Sequence, residues 1–103
     1  MSVRVNADNF ETVVLQSDIT VLVDFYSDSC VPCKRLSPVL ADIEEKYADT
    51  LKVAKVNINF DAELADKYEV QASPNLIFFK DGKEPARLRG AIKKSDITDL
   101  IQK

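Results

Sequence analysis

Apolar residues along this chain fall into short blocks whose spacing alternates between two and three-to-four residues, and that alternation predicts the order of elements. Val3 and Val5 alternate with polar neighbours and predict a short first strand. Asp8 or Asn6 can cap a helix running to about Leu15, with Phe10, Val13 and Val14 as its apolar stripe. Val21–Tyr26 is apolar on both faces except at Asp24, as expected of a central parallel strand covered by helices on both sides. Leu36, Val39, Leu40, Ile43 and Tyr47 recur at helical spacing and predict a helix over Lys34–Tyr47, which Pro38 should kink. Leu51, Val53 and Val56 predict a third strand; Leu64, Ala65 and Tyr68 predict a short helix capped by Asn59 or Asp61. Leu76–Phe79 predicts a fourth strand, Asp81-Gly82 a hairpin turn, and Ala86–Arg89 a fifth strand that Pro85 places at an edge. Ser95 is positioned to cap a last helix with Ile97, Leu100 and Ile101 turned inward. The result is an α/β chain with a mixed sheet sandwiched by helices.

A length of 103 residues, 46% of them hydrophobic, suits a single domain spanning 1–103 whose core needs no staples. A net charge of −3 argues against nucleic acid and anionic membranes as partners. No stretch approaches the roughly 18 apolar residues a bilayer requires. The first eight residues lack the apolar run of a secretory signal, which predicts a cytoplasmic protein. In that reducing compartment a structural disulfide is not expected, so the two cysteines point to catalysis or metal binding.

Those cysteines stand in Cys30-Val31-Pro32-Cys33, directly between the Val21–Tyr26 strand and the following helix. A sulfur at a helix start meets the partial positive charge and unpaired N–H groups there, which favour thiolate over thiol. The second sulfur, one turn on, lies close enough to close a small disulfide ring and should be the more buried. A metal would need about four ligands, and two thiols without any histidine supply too few within one chain. Asp24 is the second candidate: an ionised carboxylate inside an apolar strand is expensive unless paired or protonated.

The motif and its setting resemble the thioredoxin family over nearly the whole chain. The matching residues are Val23-Asp24-Phe25, Cys30-Val31-Pro32-Cys33-Lys34, Pro38, Val53-Ala54-Lys55-Val56-Asn57, Ser73-Pro74, Phe79-Lys80-Asp81-Gly82 and Gly90. The resemblance implies a thioredoxin fold, with a central mixed five-stranded sheet flanked by four helices. It also implies a protein dithiol–disulfide oxidoreductase in which Cys30 attacks a substrate disulfide and Cys33 resolves the mixed disulfide. Asp24 would accept the Cys33 proton through water, with Lys55 pairing with it. Pro74 would be cis against the disulfide, Ser73 would pair its backbone with an extended substrate, and Gly90 would line the same groove. Pro32 would shape the thiolate's surroundings. No bound cofactor or metal is implied. Electrons would come from NADPH or another donor through a thioredoxin reductase-like enzyme, the partners being that reductase and disulfide-containing proteins, with the chain a monomer.

The sequence departs from the family at its reactive surface. Ser29 and Tyr26 stand where tryptophans are usual, Val31 replaces a glycine, and Ser73 replaces a threonine or larger apolar residue before the proline. These changes predict an unchanged mechanism with an altered partner range or potential. The competing readings are a thioredoxin-fold binding or chaperone module, and an isomerase or oxidant with a raised potential.

Overall fold

The computed structural model describes residues 3–71, 73–89 and 92–101. Five strands among them build one mixed sheet: β1 (Val3–Arg4), β2 (Thr20–Tyr26), β3 (Leu51–Asn57), β4 (Asn75–Lys80) and β5 (Lys83–Arg89). They hydrogen-bond in the order β1-β3-β2-β4-β5. β1, β3 and β2 run parallel, whereas β4 and β5 run antiparallel to their neighbours. β2 is therefore central, as its two-sided apolar character predicts, but parallel on one side only. β5 is an edge strand, and its ladder with β4 shifts register between Phe78 and Lys80, opposite the segment that holds Pro85.

Three α-helices and one π-helical turn cover the sheet: the turn over Glu11–Leu15, then α1 (Val31–Lys46), α2 (Ala62–Lys67) and α3 (Lys94–Ile101). The π turn closes through an i→i+5 bond from Gln16 N–H to the Glu11 carbonyl, 2.9 Å. One face of the sheet packs Val23, Phe25, Ala54 and Ile77 against Phe10, Val14 and Leu64. There the Phe10 ring lies 5.1 Å from that of Tyr68 and 5.5 Å from that of Phe79. The other face packs Leu22, Val53 and Leu76 against Leu36, Leu40 and Ile43 of α1 and Ile97 of α3.

Several helix starts differ from expectation. Asn6 does receive the N–H groups of Asp8 and Asn9, at 2.9 and 3.2 Å, so it rather than Asp8 organises the first turn. Neither Asn59 nor Asp61 caps α2 with its side chain: Asp61 occupies the cap position without a side-chain bond, and the Asn59 N–H is bound by Asn57 Oδ1 instead. Ser95 lies inside α3. The carboxylate of Asp96 accepts the Lys93 N–H at 2.9 Å and closes the start of that helix one residue away. Pro38 is accommodated inside α1, leaving the Lys34 carbonyl without its usual amide partner.

The hairpin turn is left-handed at both central positions, with φ of 54° at Asp81 and 76° at Gly82. That matches the twist of the flanking strands and favours an Asn/Asp-Gly pair. A Cβ built on Gly82 would meet only the Leu15 carbonyl at 3.7 Å, an ordinary contact, so substitution costs backbone strain rather than a clash. Gly82→Ala is expected to lower unfolding free energy by about 1 kcal/mol. Urea denaturation should show the midpoint falling with an unchanged slope.

Candidate active site

α1 begins three residues earlier than its apolar spacing predicts, because Pro32 fits the first turn, where a missing N–H would have had no partner. This puts the cysteines in the first turn itself. Cys30 is the N-cap, with φ −86° and ψ 109°, and its sulfur accepts the Cys33 N–H at 3.1 Å. Sulfur does here what a serine or threonine oxygen does at other helix starts. No acidic residue lies in that first turn to oppose a negative charge.

The two sulfurs are joined, with Cα atoms 5.2 Å apart. Burial does not separate the cysteines as expected: Cys30 is 8% exposed and Cys33 6%. Hydrogen bonding does separate them, since among the described residues only Cys30 Sγ receives a backbone N–H. The preceding loop is braced by Cys30 N–H to the Ser27 carbonyl at 3.2 Å, and by Asn57 Nδ2, 3.3 Å from each carboxylate oxygen of Asp28. Val31 is 56% exposed beside the disulfide, and Pro32 and Ser29 are exposed as well.

The mixed topology brings the remaining pieces to the same end of the sheet. Because β4 runs antiparallel to β2, with Phe25 opposite Asn75, the start of β4 meets the end of β2. Pro74, buried and joined to Ser73 by a cis peptide, stands there. Among the described residues no backbone hydrogen bond outside the strands engages Ser73. Gly90 lies outside the described residues.

Asp24 is 3% exposed, and among the described residues its Oδ1 has no hydrogen-bond partner. Burial pushes its carboxyl up from 3.8 to about 6, against the opposing pull of the Lys55 charge. Lys55 faces Asp24 across the β2–β3 ladder but closes no ion pair with it. Lys55 is half-buried. Asp24 and Lys55 share a pocket of about 200 Å³ with Cys33, Ser27 and Ser37. Ser37, not among the candidates above, follows Cys33 by four residues on one helix face, the signal that could have found it; Ser27 and Asp28 carry no signal beyond that of a turn. Among the described residues no group of three or more His, Cys, Asp and Glu is placed to hold a metal. Among the described residues no helix is long and apolar enough to cross a membrane.

A family model described as Thioredoxin matches residues 1–103. The chain belongs to the thioredoxin family. A thioredoxin of Acidithiobacillus ferridurans is 44% identical over 97 residues, covering 94% of this chain and 90% of that protein. One from Pseudomonas aeruginosa is 41% identical over 99 residues, covering 96% and 92%. A chloroplastic M-type thioredoxin of Chlamydomonas reinhardtii is 37% identical over 99 residues, covering 96% of this chain and 71% of its own length. Family and bonded cysteine pair together make this thioredoxin-family protein a dithiol–disulfide oxidoreductase whose working group is the Cys30–Cys33 disulfide. Its partners, as for the family generally, are a reductase and disulfide-bearing proteins.

Proposed function

We propose that this protein acts as a single domain over 1–103, a monomeric cytoplasmic reductase of protein disulfides. The observation that carries this reading is the capping sulfur: the Cys33 N–H aimed at Cys30 Sγ favours a Cys30 thiolate over a thiol. That thiolate attacks one sulfur of a substrate disulfide; the S–S bond breaks and the leaving sulfur takes a proton. The Cys33 thiol gives its proton to the Asp24 carboxylate through a water in their shared pocket, then attacks Cys30 Sγ. The second substrate thiolate leaves, and two electrons have passed from the cysteine pair to the substrate. A pocket of about 200 Å³ lined with polar groups suits such a relay. Lys55 tempers the charge that Asp24 carries between turnovers.

Ser73 offers its backbone to an extended substrate segment, Pro74 and Gly90 shape the groove beside it, and Pro32 and Val31 flank the sulfurs. A thioredoxin reductase-like enzyme returns the electrons, from NADPH or another donor. Ser29 and Ser73 narrow the partner range by withdrawing the larger side chains usual at these positions, and Val31 by placing a branched side chain where a glycine is usual. An ordinary thioredoxin reductase should therefore turn this protein over poorly, measured as kcat/KM against a standard thioredoxin; normal turnover with a normal substrate range rejects the narrowing.

Titration of the Cys30–Cys33 pair against a defined thiol–disulfide buffer tests the direction of electron flow. We expect a potential near −270 mV, that of a reductant. A value of about −200 mV or higher would instead assign isomerase or oxidant duty.

A further inference from the structure

Beside the disulfide, on the side of Pro74, a groove of about 430 Å³ runs between α1 and the residues that lead into α3. Leu36, Val39, Pro74 and Ile92 give it an apolar lining, and Pro32 and Ser73 also border it. Pro32, Leu36 and Val39 are spaced four and three residues apart and so share one face of α1. Among the described residues, the only charged ones lining it are Arg35, from that same helix, and Lys93. This is unexpected in a chain with 17 acidic residues against 14 basic ones.

Both cations are exposed, and among the described residues neither side chain has an ion-pair or hydrogen-bond partner. Lys94, next along the chain from Lys93, is by contrast engaged by Asp42. Free cations beside an apolar floor complement a segment that carries both an apolar side chain and a carboxylate.

We propose that Arg35 and Lys93 are specificity-determining residues, and that the groove selects substrate segments bearing an apolar residue and a carboxylate close to the target disulfide. The proposal rests on the reductase reading above and names the substrate class of that same site. A carboxylate in the groove satisfies two unpaired cations, while a cationic side chain there meets like charge. The net charge of −3 works the other way, drawing cationic substrates toward the molecule as a whole. Local selection and global attraction therefore predict opposite orders.

The test uses the reduced full chain and three disulfide-linked peptide dimers identical except for Glu, Gln or Lys two residues from the cysteine. Second-order rate constants are measured at low salt and again at high salt. We expect Glu above Gln above Lys, with roughly fivefold between the extremes, as two exposed charge contacts would give. The ratio should shrink in high salt. It should collapse in the doubly neutralised variant R35Q/K93Q and invert in R35E/K93E. Equal rates, a preference for the Lys peptide, or a Glu preference that survives neutralisation would each overturn the proposal. Reduction of the uncharged bis(2-hydroxyethyl) disulfide by the unaltered protein separates the two levels. If that reaction is absent, the reductase reading fails; if it proceeds without peptide discrimination, only the groove assignment fails.

Discussion

Cys33→Ser is expected to turn the protein into a covalent trap, and Cys30→Ser to abolish disulfide reduction by at least about a thousandfold, the scale on which loss of an activated nucleophile acts. The asymmetry follows from the first turn of α1. The exposures of the two cysteines are nearly equal, so access alone would let either attack. Only Cys30 holds the cap position and receives the Cys33 N–H. With Cys33 replaced, Cys30 still attacks, but nothing displaces the substrate and the mixed disulfide persists. With Cys30 replaced, the remaining thiol has neither the cap position nor a backbone N–H aimed at its sulfur to favour its thiolate. Serine is itself a favoured cap, so Cys30→Ser leaves the helix start intact and its lost activity cannot be ascribed to unfolding. Intact-protein mass spectrometry after mixing with a disulfide substrate reads both variants. A Cys33→Ser sample free of adduct, or a Cys30→Ser sample that accumulates it, would reverse the assignment of roles.

Asp24→Asn should produce the second large effect, in opposite directions on stability and on rate. The carboxyl lies at about 6 in the folded chain against 3.8 in the unfolded one. Below pH 3.8 both states hold the proton and no charge on Asp24 is desolvated. Between 3.8 and 6 the folded state binds more protons than the unfolded one, so the stability from this group falls as pH rises. Above 6 the full penalty applies, and at about 1.4 kcal/mol per pH unit it amounts to about 3 kcal/mol. An amide of the same shape carries no charge to desolvate. The variant should therefore be more stable than the parent at pH 7.5 by up to that amount, with the difference vanishing below pH 4. Asp42 acts in the opposite sense: held low by its bond to Lys94, it loses stability as pH falls. The variant-minus-parent difference cancels that contribution. Turnover should fall by about a hundredfold, the lower end of what a positioned proton acceptor contributes, with the parent's inflection near pH 6 absent. Chemical denaturation across pH 4 to 8, paired with single-turnover rates, checks both. A constant stability difference would show that Asp24 does not titrate as a buried group.

Sheet, helices and reactive pair were legible because each rests on local signals: two-sided apolarity in Val21–Tyr26, helical spacing from Leu36 to Tyr47, and Asp81-Gly82 between two strands. Helix starts were less so. Pro32 reads as a breaker in a linear scan, yet inside a first turn it costs nothing, which is why α1 absorbs both cysteines. Ser95 has the right chemistry for a cap, but Asp96 reaches the open amide with a longer side chain. Lys55 was expected to pair with Asp24; register places them side by side, yet backbone register does not bring the two side-chain ends within ion-pair distance. The groove beside Pro74 had no local signal at all. Its lining comes from three segments, 32–39, 73–74 and 92–93, that only the antiparallel pairing of β4 and the packing of α3 bring together.

A sulfur that closes a helix also makes the backbone a gauge of redox state. The Cys33 amide proton faces an acceptor that is neutral in the disulfide and anionic in the thiolate. Its nuclear magnetic resonance frequency should therefore move as the pair is reduced, and its exchange with solvent should slow as the bond strengthens. One backbone resonance then reports the reduced fraction during turnover, with no probe attached to either sulfur.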